Sequence, residues 1–140
     1  MSNPVGTRKL VLKVEGTDFS DAVKVCAVTS RKADGGFGSF AEARAGGPRE
    51  YVLKLTMKQD TAAATLHDYV WAHFGEEVDV EVWPHGGTVA AVATPKYTGT
   101  CVVAEPDGEL LGGEANESTS ARFTTEVEWV FLAKPTKVTA

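Results

Sequence analysis

Cysteine and histidine are scarce in this chain, and that removes much chemistry at once. Cys26 and Cys101 are the only cysteines, neither has a CxxC neighbour, and each sits in a Val-rich run. Such a pair supplies no zinc or redox motif and reads as two buried thiols acting as small apolar residues. The histidines are His67, His73 and His85. His67 and His73 are six apart, so on one helix they point about 120° away from each other and cannot chelate one ion. No metal and no cofactor is expected. Gly-x-Ser-x-Gly is absent, which removes the nucleophile-elbow pattern. Gly35-Gly36-Phe37-Gly38 lacks the Gly-Lys-Ser/Thr ending of a phosphate loop and is read as preceding no helix. A basic excess is also missing. The net charge of −5 and pI near 5.2 argue against wrapping nucleic acid through its phosphates. No apolar run approaches the 18 residues of a membrane span. The first residues lack a signal peptide's apolar stretch, and the expectation is a protein made and kept in a cytoplasm.

What the chain does have is ordinary for a globular protein, with 43% hydrophobic and 24% charged residues in 140. That length is expected to form one domain over residues 1–140 and to bury roughly 70% of the unfolded surface.

The stretch from Tyr51 to Trp83 organises the reading. Tyr51, Leu53, Leu55 and Met57 alternate with Val52, Lys54, Thr56 and Lys58, a period of two that predicts a strand with one buried face. Gln59-Asp60-Thr61 then breaks the pattern, and Asp60 or Thr61 is placed to cap a helix start. Ala62, Leu66, Tyr69, Val70, His73 and Phe74 recur at helical spacing. A helix over 60–75 is expected, with Gly75 as a left-handed cap. Val78, Val80 and Val82 alternate with Glu77, Asp79, Glu81 and Trp83, a strand with one acidic face.

The remainder reads as strands and loops. Residues 1–8 are expected to be a polar arm. Leu10, Leu12 and Val14 mark a first strand and 22–29 a second, with Val23, Val25 and Ala27 on one face. The short link between them predicts a hairpin. Residues 88–96 form a weak strand or extended loop, 97–104 a clear strand, 105–108 a turn, and 122–131 the longest strand. Lys134-Pro135-Thr136-Lys137 closes the chain. About seven strands and one helix predict a mainly β fold. The expected arrangement is two packed antiparallel sheets, as a sandwich or barrel, flanked by that helix and carrying a long inter-strand loop.

That loop, residues 30–49, lacks periodicity and holds five of the 14 glycines and four of the 14 basic residues, with Phe37 and Phe40. Long loops in compact domains tend to be functional or disordered, and disordered linkers normally lack aromatics. The segment is expected to dock, on its own domain or on a neighbour. Trp71, Trp83 and Trp129 read as core or interface packing, with a sugar- or base-binding face as the alternative. No convergent polar chemistry emerges, so the weight moves from catalysis to binding and assembly, and no enzyme is expected.

The order of short motifs then matters. Arg49 through Asp60 leads into Ala-Ala-Ala-Thr-Leu-His-Asp-Tyr-Val-Trp. Tyr97-Thr98-Gly99-Thr100, Gly112-Gly113-Glu114-Ala115 and Phe123 through Trp129 follow, before Lys134-Pro135. This order resembles the major tail protein, or tail tube subunit, of long non-contractile-tailed (siphovirus-type) bacteriophages, especially those of actinobacterial hosts, from about Gly36 to Thr139. The resemblance implies a structural virion protein, found in the virion tail and assembled in the host cytoplasm. It implies a homo-oligomer of stacked rings, commonly hexameric, forming a hollow tube. Genomic DNA passes through that tube during ejection without specific binding, other tail proteins meet its ends, and no membrane is involved. On this reading Arg31, Lys32, Phe37, Phe40, Arg44 and Arg49 reach an adjacent subunit or ring. The N-terminal arm and 108–120 add contacts, and open sheet edges pair across subunits. An acidic bore would keep DNA from sticking, which makes Glu77, Asp79, Glu81, Glu126 and Glu128 lumen-facing candidates; an acidic exterior face is the plain alternative. The competing function is a monomeric or dimeric β-sandwich binding module, such as a virion decoration protein or a carbohydrate binder using Trp83 or Trp129.

Overall fold

The structure, a computed structural model, describes residues 2–33, 38–115 and 117–140. Among these, the elements in chain order are β1 (Val11–Val14), β2 (Thr17–Asp18), β3 (Val23–Lys32), α1 (Phe40–Arg44), β4 (Arg49–Lys58), α2 (Leu66–Ala72), β5 (Glu77–Trp83), β6 (Lys96–Val102), β7 (Thr124–Val130) and β8 (Thr136–Val138). The strands form two antiparallel sheets, ordered β2-β1-β5-β6-β8 and β3-β4-β7. The fold is mainly β, two sheets packed as a sandwich with little helix.

The two-residue period explains the packing. Leu12, Val14, Val78, Val80 and Val82 point inward from the five-stranded sheet. Leu53, Leu55, Met57, Val127 and Trp129 meet them from the three-stranded sheet, and Leu66 and Val70 of α2 join the same core. Each such side chain contributes about 1.5–3 kcal/mol by leaving water.

One strand joins the layers. Past β7, the Phe131 N–H donates to the Tyr51 carbonyl on β4 at 2.8 Å, and the Leu132 N–H donates to Thr100 beside it on β6 at 2.9 Å. Successive N–H groups of a strand point to opposite sides, so β4 and β6 flank this segment on opposite edges. The chain leaves one sheet and enters the other as β8, which pairs with β6. Gly99 permits the corner, because a Cβ there would lie 2.8 Å from the Phe131 ring.

Several sequence expectations change. The first two long strands do not form a hairpin: β1 pairs with β2 and β5, while β3 pairs with β4 in the other sheet. Phe19 and Ala22, both buried, carry the chain between layers. A bulge between Val23 and Val25 shifts the β3 register, so Val23 and Cys26 face the core while Val25 is exposed. Val52 and Thr56 are buried although they alternate away from the core. They sit on the central strand, where Thr29 and Val130 flank the one and Val25 and Glu126 the other. The helix over 60–75 shortens to seven residues, capped by Thr65, whose hydroxyl accepts from the Asp68 N–H. Upstream, the Asp60 carboxylate accepts from the Ala62 N–H at 3.0 Å and Ala64 takes a positive φ of 66°. Both features hold the chain out of helix. Gly75 adopts φ 83°, the left-handed conformation its position calls for. The closing run 134–137, expected as a tail, contributes to β8.

Candidate assembly surface

Any strand at the end of a sheet presents unpaired backbone groups. The five-stranded sheet ends in β2, two residues long, and β8, three residues long. The three-stranded sheet ends in β3, ten residues long, and β7, seven residues long. The longest edge strands therefore belong to one sheet.

β3 and β4 do not stop where the core ends. They stay paired to Lys32 and Arg49, and the Ala33 N–H donates to Pro48 at 3.1 Å. The base of the expected 20-residue loop is thus paired strand, and residues 33–48 link its two arms. That link includes α1, so the Gly-rich run ending at Gly38 does precede a helix, contrary to the sequence reading. Phe40 opens α1 with 87% of its surface exposed. Among the described residues nothing covers this large apolar side chain.

The other predicted contact residues divide. The Arg31 guanidinium pairs with Glu50 at 2.6 Å and with Glu128 at 3.3 Å, both on its own sheet. The Glu50 hydrogen bond and the neighbouring carboxylates raise its pKa further above the ordinary range. Arg49 donates from Nη2 to the Ser30 hydroxyl at 2.9 Å. Both therefore brace the hairpin base. Lys32 and Arg44 are exposed and make no ion pair among the described residues. Phe37 lies outside the described residues.

The acidic candidates do not form one group. Glu77 and Asp79 are exposed and Glu81 half-buried on the outer side of β5, opposite inward Val78, Val80 and Val82. Glu126 and Glu128 lie on the outer side of β7, opposite inward Val127 and Trp129. The two sets are on opposite outer faces of the sandwich, so one bore cannot be lined by both. On the β5 face, Glu81 pairs with Lys96 at 2.8 Å and Asp79 accepts from the Thr100 hydroxyl at 2.9 Å. On the other face, Glu128 lies 3.6 Å from Lys54 in addition to Arg31.

Sequence reading missed the segment after β6. It took 105–108 as a turn only, yet this stretch runs beside β7. Residues 104–109, Glu126, Glu128, Val130 and Arg31 line a cavity of about 570 Å³ there. The signal was visible as Glu105, Asp107 and Glu109 alternating along one extended run. Further on, the Gln59 side-chain amide pairs with both backbone groups of Gly112, accepting at 2.6 Å and donating at 2.9 Å. His67 Nε2 meets the Leu110 carbonyl at 2.8 Å. These bonds hold 110–112 against the sheet, with Leu111 exposed beside them. In the N-terminal arm, the Asn3 amide donates to Ala93.

The tryptophans differ in burial. Trp129 is fully buried and Trp83 nearly so, the latter with the Lys13 and Lys96 ammonium groups 5.2 and 5.0 Å from its ring centre. Trp71 of α2 is exposed. Burial pushes the Cys26 thiol up to about 11 and, helped by Asp79, the Cys101 thiol up to about 12. At neutral pH both are protonated and poor nucleophiles. No group of three or more His, Cys, Asp or Glu side chains suited to a metal occurs among the described residues, and no described helix is long and apolar enough to cross a membrane.

No protein-family model matches this chain, and no match was found among curated proteins.

Proposed function

We propose that this chain is a self-assembling structural subunit of a hollow tube, the role implied by its resemblance to tail tube proteins of long non-contractile-tailed phages. The observation that carries the reading is the ten-residue edge strand β3, which continues into a hairpin whose Phe40 is exposed. An edge strand of that length is a liability in a monomer and an asset in a polymer, where it finds a partner strand.

Edge length favours the three-stranded sheet as the one that runs around the ring. β2 and β8 are too short to carry a continuous ladder, whereas β3 and β7 are not. The outer face of the three-stranded sheet then faces the bore, with Glu126 and Glu128, and the acidic strip of Glu77, Asp79 and Glu81 lies outside. The bore face carries Arg31, Lys54 and Lys58 against Glu50, Glu126 and Glu128. Arg31, Glu50, Glu128 and Lys54 engage each other within the sheet, which keeps them from DNA phosphates passing through the tube. The hairpin tip, with Phe40 and Arg44, reaches the next ring. The binding-module reading is weaker, since Trp83 and Trp129, its proposed sugar platforms, are buried.

Electron microscopy of the purified protein at rising concentration tests the proposal. Rings or hollow tubes of uniform width are expected. A small monodisperse particle at every concentration contradicts it.

A further inference from the structure

Residues 103–123 connect β6 in one sheet to β7 in the other, and those described among them form no helix or strand. Connections longer than about 12–15 residues without regular structure are uncommon and usually functional. This one comes beside the outer edge of β7 but does not pair there. The Phe131 N–H points to β4, so by alternation the N–H groups of Glu126, Glu128 and Val130 point away from β4, toward residues 104–109. Among the described residues, no backbone hydrogen bond joins 104–109 to β7. The cavity of about 570 Å³ lies between them instead.

The segment is tied down just beyond that gap. The Gln59 amide bonds both backbone groups of Gly112 and donates to the Thr124 carbonyl at 3.2 Å. The buried His67 ring meets the Leu110 carbonyl at 2.8 Å, and the buried Thr125 hydroxyl donates to the same oxygen at 3.4 Å. Apolar burial adds little, since Leu111 is exposed. Over 104–109 the charges work the other way. Glu105, Asp107 and Glu109 line the gap together with Glu126 and Glu128. The one cation lining it, Arg31, is already engaged with Glu50 and Glu128. Like charges around a shared gap repel.

We infer that residues 104–112 are a strap guarding the β7 edge, latched at Gly112 by Gln59 and loaded by the carboxylates of the gap, so that release of the latch frees the edge. Covering an edge strand with a loop is one way a sheet avoids pairing with the wrong chain. A segment held by a few polar bonds and little apolar contact opens without the rest of the fold. The strap is therefore an autoinhibitory contact within the single chain. Its guard role rests on the tube reading; its opening does not.

Limited proteolysis of the dispersed full-length protein with subtilisin, mapped by mass spectrometry, measures the opening, and cutting within 33–48 of the same molecules is the internal reference. Gln59→Met keeps a side chain of similar length and removes its bonds. A second variant, E105Q, D107N and E109Q together, removes charge from exposed residues that make no ion pair among the described residues. Relative to the reference, cutting within 104–115 is expected to be at least about tenfold faster in Gln59→Met, as the loss of several hydrogen bonds requires. It is expected to be slower in the neutralised variant, and slower in wild type when salt screens the repulsion. Unchanged cutting in Gln59→Met, cutting of its strands at the same rate as the strap, or no slowing by salt would overturn the latch. Gln59→Met is also expected to begin assembling at about tenfold lower concentration than wild type, because a larger fraction is competent. Equal onset in the two would overturn the guard role while the tube reading stands. If neither assembles, the tube reading falls and the guard role with it, and the cleavage ratios still decide the latch.

Discussion

Gly99 shows how one side chain fewer shapes the whole. It lies on β6 under the Phe131 ring, where a Cβ would approach to 2.8 Å. Gly99→Ala is expected to destabilise the fold by about 1–3 kcal/mol through overpacking, seen as a lower urea midpoint; an unchanged midpoint would mean that the corner can shift at no cost. The thiols make a second prediction. In the folded chain Cys26 and Cys101 hold their protons to about 11 and about 12, whereas an unfolded cysteine loses its proton near about 8.5. Above about pH 8.5 the unfolded chain therefore binds fewer protons, and stability falls as pH rises toward the folded values. The contribution is fully present below that range. A variant with Cys26→Ala and Cys101→Ala should lose less stability than wild type between about pH 8 and pH 10, and equal losses would contradict the assignment. Legibility at this scale was uneven. Leu53, Leu55, Val78 and Val127 announced their burial by alternation, because the strand period is a local property. Trp83 did not, since its cover comes from Lys13 and Lys96 on neighbouring strands, and cross-strand neighbours are invisible in one sequence.

Among the elements, strands were easier to see than their partners. The alternation in β4, β5, β6 and β7 was plain, but the pairing of β1 with β5 rather than β3 was not, because pairing depends on long-range packing and not on the link between strands. The helix was overread: Ala62 fits the apolar stripe, yet the Asp60 side-chain bond and the positive φ at Ala64 compete with helix locally. Thr65→Ala should cost about 1 kcal/mol as the loss of an N-cap, measurable by thermal unfolding, with no change if another group caps α2. The paired base of the 30–49 segment was hidden because exposed strand ends carry no hydrophobic alternation. Its tip gives a sharper prediction. Phe40→Ser should leave stability within about 0.5 kcal/mol, as exposed substitutions do, while weakening assembly. Protease should cut residues 33–48 in the dispersed protein and be excluded in the polymer. Equal cutting in both states would remove the hairpin from the interface.

For the whole molecule, the sandwich was legible and the surface that matters was not. Net charge of −5 conceals an uneven distribution, with an acidic strip on the β5 face and a network of Arg31, Glu50, Glu128 and Lys54 on the other. Only the topology reveals that Glu77 and Glu126 lie on opposite sides, and only the edge lengths single out the sheet able to continue between copies. The central claim is that this sheet propagates from copy to copy into a tube. Electron microscopy of the wild-type protein across a concentration series measures it most directly. Hollow tubes or rings of one width are the predicted result. A folded wild-type protein that remains a small single particle throughout would contradict it.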